Sequence, residues 1–155
     1  MPVFSHTFPV RFADVDHAGI VYYPRFFHYF HAAFEEFFRR RMGSRAYVDL
    51  LDRRRLGFPA VRSECDFRAP LKFGDLVRVD MSVERIGTKS IHFAYRVHRM
   101  EPEAPDAPIG TQTAVVALAA EGRVVAVMTD LDQLRGVEIP EDVRHLLLEL
   151  VVGNE

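Results

Sequence analysis

Cysteine is nearly absent: Cys65 is the only one in 155 residues. One thiol closes no internal disulfide and builds no cysteine metal cluster, which fits a reducing cytoplasm. Charge of one sign is also lacking. The formal net charge is -2, so no global field draws the chain to nucleic acid or to an anionic membrane, and an anionic ligand needs local basic groups. No apolar run approaches the roughly 18 residues that span a bilayer. The start, Met1-Pro-Val-Phe-Ser-His, has no basic stretch leading into an apolar one, so no secretion signal is expected. No serine sits in a Gly-x-Ser-x-Gly elbow. His17, His28, His31, His92 and His98 pair with no Glu or Cys at ligand spacing, so no metal is assigned. Repeats, linkers and low-complexity segments are missing too. The expectation is one cytoplasmic domain over residues 1–155 with no membrane span and no nucleic-acid partner.

What is present is an ordinary globular mixture, 48% hydrophobic and 27% charged, long enough to bury a core. Phe4 to Phe12 alternates loosely, with Phe8, Val10 and Phe12 on one side, and reads as a strand. From Arg25 to Met42 the residues Phe26, Phe27, Phe30, Ala33, Phe34, Phe37 and Phe38 recur every three or four positions, which predicts a helix. Gly43 ends it, and Arg39, Arg40 and Arg41 complement the negative end of its dipole. Such a phenylalanine stripe needs a broad apolar cover, which a sheet supplies.

The second half carries strand patterns. Arg45 to Arg55 reads as a short surface helix broken by Gly57-Phe58-Pro59. Val61 to Arg68, Leu76 to Arg85 and Ile91 to Val97 read as strands, the last two joined at Gly87-Thr88 as a hairpin. Thr111 to Ala120 is nearly all apolar and predicts a central strand covered on both faces, turned at Glu121-Gly122 into a last strand, Val124 to Met128. Ile139-Pro140 opens a terminal helix with Val143, Leu146, Leu147 and Leu150 inward. One long helix followed by a run of antiparallel strands is an α+β layout.

The loop from Asp14 to Pro24 carries the chemistry. Asp14 and Asp16 lie one residue apart, Gly19 permits backbone shapes closed to other residues, and the loop runs directly into the long helix. Tyr22 and Tyr23 stand where Ser, Thr, Asp or Asn would cap the first free N–H groups. An uncapped helix start is a suitable place for a ligand oxygen, and a carboxylate beside it can attack a polarised carbonyl or activate water. Taken singly, a loop aspartate is more often a turn cap, and Gly19 marks a turn.

Together, Phe12-Ala-Asp-Val-Asp-His-Ala-Gly-Ile-Val-Tyr-Tyr-Pro-Arg-Phe-Phe resembles the signature of the 4-hydroxybenzoyl-CoA thioesterase family of hotdog proteins. The likeness continues through the helix and, more weakly, through Phe58-Pro59 to about Val127. It implies a hotdog fold, one long helix packed on a curved antiparallel sheet of five to six strands, in a single thioesterase domain. It also implies that Asp16 is the catalytic carboxylate and that the backbone N–H of Tyr23 holds the thioester carbonyl. Asp14 becomes a structural partner of the loop, and His17, Gly19, Val21 and Tyr22 surround the substrate. Members linked to the Tol–Pal envelope system usually carry histidine at the Tyr23 position, whereas members acting on aromatic acyl-CoAs often carry an aromatic residue. His31 stands where the 4-hydroxybenzoyl enzyme has an acidic residue facing the substrate, so other aroyl groups and short acyl chains become comparable candidates. Lys89 and Ser90, with Arg85 nearby, match the end of a hairpin cluster that holds the phosphates of coenzyme A; Gly87 and Thr88 replace its arginines.

The resulting expectation is an acyl-CoA thioester hydrolase with no cofactor, coenzyme A being part of the substrate. Its site lies between two subunits of a homodimer that assembles to a homotetramer. Asp16 either attacks the thioester carbon or acts as base toward water. Cys65 reads as a small buried strand residue, not a nucleophile. Rival classes are a hotdog dehydratase, marked by a histidine–acid pair near the helix start, and a non-catalytic acyl- or protein-binding module.

Overall fold

The computed structural model describes residues 3–102 and 104–153. β1 (Phe4–Pro9) pairs antiparallel with β4 (Leu76–Ile86), from Phe4↔Met81 to Pro9↔Leu76. The strand stops three residues short of Phe12. A single 3-10 turn over Phe12–Asp14 follows, in which Asp14 N–H donates to Arg11 O and Arg11 N–H donates to Asp14 Oδ2 at 2.9 Å. Val10 therefore keeps its inward place at 1% exposure, while Phe12 is turned out at 79%.

The predicted helix is present as α1 (Arg25–Met42), 18 residues. Its stripe of Phe26, Phe30, Ala33, Phe34, Phe37 and Phe38 is buried. Burial of each such ring contributes up to about 3 kcal/mol, which offsets modest helix propensity in a phenylalanine-rich segment. α1 runs antiparallel to β1, with Phe8 against Tyr29 at 4.9 Å and Phe4 against Phe37 at 5.5 Å between ring centroids. Further along, Phe30 stacks on Tyr95 at 4.7 Å, and Phe34 meets Phe93 edge-on. The helix thus covers β1, β4 and the next strand, β5 (Ser90–Pro102).

The main sheet has five strands in the order β1-β4-β5-β6-β3, with β3 (Ala60–Phe67), β5 (Ser90–Pro102) and β6 (Thr113–Val127). Two of the sequence-predicted strands are one. No turn forms at Glu121-Gly122, and β6 runs through it for 15 residues. Gly122 is there for packing: a Cβ on it would collide with the Phe30 ring and lie 2.8 Å from the Glu64 carbonyl oxygen. Nor is β6 covered on both faces along its length, since Val115 and Val116 are about half exposed, at 48% and 47%.

A short helix, α2 (Ala46–Asp52), is narrower than the expected Arg45–Arg55; the chain leaves it through Arg55, held at φ 52. A second sheet joins β2 (Leu56–Gly57), β7 (Thr129–Asp130) and β8 (Arg135–Gly136). α3 (Glu141–Leu148) then buries Val143 and Leu147. One long helix lying on an antiparallel sheet is the α+β hotdog layout that the loop signature implied. Among the described residues no helix is long and apolar enough to cross a membrane.

β3 is set apart from this packing. It is an edge strand with seven of its eight residues exposed, and its Phe67 ring lies edge-on to Phe26 of α1. Its inward side, with Ser63 and Phe67, borders two hollows along α1. Cys65 on the same strand is half-buried, and burial pushes its thiol up to about 11, so it stays protonated.

Candidate active site

The loop between the 3-10 turn and α1 is a tight reversal. Val15 and Val21 face each other in an antiparallel bridge. Asp16 N–H donates to Ile20 O and Gly19 N–H to Asp16 O, both at 3.0 Å. Gly19 sits at φ +84, a left-handed shape that a side chain would strain. Val21 is buried and donates its N–H to Leu71 O, which ties the loop to the connection between β3 and β4.

The two aspartates differ in environment. Asp14 is buried at 8% exposure; it accepts Arg11 N–H, and Arg25 Nε stands 4.0 Å away. Its main-chain carbonyl accepts Tyr22 N–H at 2.9 Å. Burial first, and then the neighbouring Asp14 carboxylate, push the Tyr29 phenol well above its ordinary value, although its hydroxyl stays outside hydrogen-bond geometry. Asp14 is a structural anchor. Asp16 is exposed, and its Oδ1 accepts Ala18 N–H at 2.8 Å. That bond fixes the carboxylate as an Asx turn does, and it leaves Oδ2 without a protein donor among the described residues.

At the helix start Arg25 N–H donates to Tyr22 O, Phe26 N–H to Tyr23 O and Phe27 N–H to Pro24 O. No side chain caps the end, and the Tyr23 N–H makes no hydrogen bond among the described residues. Tyr23 borders an apolar hollow of about 310 Å³ together with Ile20, Val21, Phe26, Phe67 and Leu71. The rings of Tyr23 and Phe26 both meet Phe67 edge-on, at 6.3 and 5.2 Å. Tyr22 packs on Tyr23 at 5.3 Å and stays exposed, and His17 is exposed at the tip of the loop. A free donor, an apolar hollow and an oriented carboxylate on one loop can together receive a carbonyl and deliver an oxygen to it.

Other sequence-predicted residues lie elsewhere. His31 comes eight positions after Tyr23, about 12 Å along the axis at 1.5 Å per residue. It lines a second hollow of about 200 Å³, walled by Phe27, Phe30, Phe34, Phe58 and Phe93, and its Nε2 meets Glu35 Oε1 at 2.9 Å. Arg85, Lys89 and Ser90 are farther still. Because the Leu76 end of β4 lies beside Pro9 and the head of α1, the Ile86 end and its hairpin lie toward the tail of α1. Within one chain the loop and the hairpin do not meet.

The hairpin also draws in a cation that sequence reading missed. Arg144 of α3 donates through Nη2 to the carbonyls of Gly87 and Thr88, at 3.0 and 3.1 Å. No local signal flags this arginine, because it arrives by tertiary contact from more than 50 residues downstream. β8 also runs past the hairpin, where Lys89 Cδ would lie 3.6 Å from a Cβ on Gly136. No group of three or more metal-binding side chains occurs among the described residues.

A sequence model of the thioesterase-like superfamily matches residues 10–147. A 1,4-dihydroxy-2-naphthoyl-CoA hydrolase of Nostoc punctiforme is 30% identical over 94 residues, which span 61% of this chain and 62% of that protein, somewhat under two thirds of its length. A 4-hydroxybenzoyl-CoA thioesterase of a Pseudomonas species is 27% identical over 133 residues, 86% of this chain and 89% of the other. Among solved structures, a gentisyl-coenzyme A thioesterase superposes with a TM-score of 0.72 at 28% identity, covering 90% of this chain and 98% of that one.

Proposed function

Because the chain belongs to the thioesterase-like superfamily, we propose that it hydrolyses an acyl-CoA thioester, with Asp16 as the catalytic carboxylate and the Tyr23 N–H as donor to the carbonyl oxygen. The observation that carries this reading is the unpaired N–H of Tyr23, a residue that lines an apolar hollow, on the same loop as a carboxylate with one oxygen to spare. The similar proteins are named for hydrolysing aroyl-CoA thioesters, and three aromatic rings wall this hollow. The preferred acyl group is therefore aromatic, with short chains as the next class.

In the reaction, the Tyr23 N–H stabilises negative charge as it develops on the thioester oxygen. Asp16 Oδ2 either bonds the carbonyl carbon and is later freed by water, or takes a proton from water as that water attacks. Either way the acyl–sulfur bond breaks, coenzyme A leaves as a thiolate, and water supplies the new acyl oxygen. Asp14, Val21 and Gly19 hold the loop, while His17 and Tyr22 border its entrance.

The remaining pieces come from a second copy. β3 has a free edge and a bare inward flank, a combination that a homodimer removes. A partner across that edge would bring His31 and the hairpin of Arg85, Lys89 and Ser90, with Arg144, toward the loop they cannot reach in one chain. The hairpin would then hold the phosphates, two dimers would form the tetramer, and no cofactor is needed. A thiol-release assay over benzoyl-, hydroxybenzoyl-, phenylacetyl- and short-chain acyl-CoAs tests the reading. Release should be fastest with aroyl thioesters. No release from any of them would leave a binding module instead.

A further inference from the structure

Resting on the thioesterase reading, we propose that Tyr29 is a positioning residue: its hydroxyl donates to Asp14 Oδ1 and so fixes the span between the Asp16 carboxylate and the Tyr23 N–H. Two enclosed groups of opposite need are neighbours here. Tyr29 is 2% exposed, and its hydroxyl has no hydrogen-bond partner among the described residues. Asp14 is 8% exposed and accepts Arg11 N–H on Oδ2. No hydrogen bond reaches its Oδ1 among the described residues, and Arg25 Nε stands 4.0 Å from that oxygen. A buried donor without an acceptor and a carboxylate oxygen without a donor each cost stability, and one bond removes both costs. A small shift of the loop toward α1 makes it. Burial first, and then Asp14, hold the phenol well above its ordinary value, so it keeps its proton and remains a donor.

Asp14 is the node that joins the two arms of the loop. Its carboxylate holds Arg11 N–H, and its main-chain carbonyl holds Tyr22 N–H, both at 2.9 Å. Asp16 follows it by two residues, and Tyr23 follows Tyr22 by one. A displacement of Asp14 therefore moves the carboxylate and the carbonyl donor relative to each other, and an error of about 1 Å in such a span can cost a hundredfold in rate. Helix α1 is the rigid reference. Arg25 and Tyr29 lie four positions apart on one face of it. Arg25 Nη2 donates to Ala13 O at 3.2 Å, and Tyr29 serves the next residue of the loop. The Tyr29 ring is clamped by Phe8 of β1 and by Phe26, with centroids 4.9 and 5.9 Å away, so its hydroxyl cannot swing to water. Tyr29 does not line the hollow at Tyr23. It acts through Asp14, without touching the substrate.

Tyr29→Phe keeps the ring and removes only the hydroxyl. With an aroyl-CoA, kcat should fall about tenfold, the worth of one hydrogen bond to a charged group. KM should stay within about twofold, since the walls of the hollow are unchanged. Hydrogen exchange read by mass spectrometry on the whole protein should quicken across residues 15–23 in that variant. Phe8→Leu is the control: it loosens the packing around the same ring, and should lower the melting temperature while leaving kcat and that exchange as in wild type. A Tyr29→Phe protein that melts higher, with kcat and loop exchange unchanged, overturns the proposal, because the hydroxyl is then only an unsatisfied core atom. Equal losses of kcat in Tyr29→Phe and Phe8→Leu also overturn it, by assigning the loss to packing. Absence of thiol release by the wild-type protein from every thioester would instead sink the thioesterase reading, while the exchange comparison still decides whether Tyr29 holds the loop.

Discussion

The sheet beneath α1 and the sheet beside it are made of similar alternating strands, yet they live in different surroundings. Val77, Val79, Met81 and Val83 of β4 are each at 0% exposure under the helix. Phe67 of β3 faces the same side of the sheet and is 49% exposed. The covered part has aromatic rings locked against one another, and every change of volume there must be felt. The bare part has hollows, a free edge and an unpaired N–H. Stability is concentrated under the helix, and the groups able to do chemistry lie at its head and along its open flank.

The largest effect expected is in the covered part. Phe37→Ala should cost about 3–5 kcal/mol of unfolding free energy, read by denaturant titration, because Phe37 is fully enclosed beside Phe4 and Phe38. A cost near that of a surface change would erase the contrast. At the loop, Asp16→Asn should lower kcat at least a hundredfold, about 2.7 kcal/mol of barrier, while circular dichroism and the melting temperature stay close to wild type. Near-normal turnover would remove Asp16 from the chemistry.

Phe67→Ala sharpens the comparison between the same side chain in two settings. It should cost under about 1 kcal/mol of stability and yet raise KM for an aroyl-CoA several-fold, since the Phe67 ring meets Tyr23 and Phe26 at the hollow. A large stability loss with unchanged KM would make β3 a structural element like β4. The smallest effect concerns the tail of α1. The Arg39 guanidinium first, with Arg40 beside it, lowers the Glu36 carboxyl from 4.5 to about 2. A carboxyl depressed in the folded state stabilises it above the ordinary value, and that contribution is lost as pH falls from about 4.5 to 2. Glu36→Gln should therefore be slightly less stable than wild type at neutral pH and show a shallower acid decline through that window in thermal melts. Parallel acid profiles would show that the cluster contributes nothing, as many exposed ion pairs do.

Sequence reading was good where periodicity is local. The bounds of α1 follow from the three-and-four spacing of its phenylalanines, Gly43 and the arginine run, because a helix satisfies its own main chain. The loop was legible as well: Asp14, Asp16, Gly19 and Tyr23 announce a turn and an uncapped helix, and the hydrogen bonds of that loop are short-range. Gly122 misled for a physical reason. Glycine marks either a turn or a close approach, and only the position of Phe30 distinguishes them. Phe12 misled likewise, since alternation does not reveal that Arg11 and Asp14 close a turn around it.

From its residues alone, then, this chain determined one long amphipathic helix, a set of antiparallel strands and a carboxylate-bearing loop at the helix head, all features set by neighbours a few positions apart. Tertiary structure decided which part of the sheet the helix covers, that β6 runs unbroken and ends in an open edge, and that Arg144 reaches the hairpin. It also decided that the loop and the hairpin stand apart in a single chain. These are properties of how strands are ordered across the sheet, and strand order is fixed by long-range packing, on which the alternation within any one strand is silent.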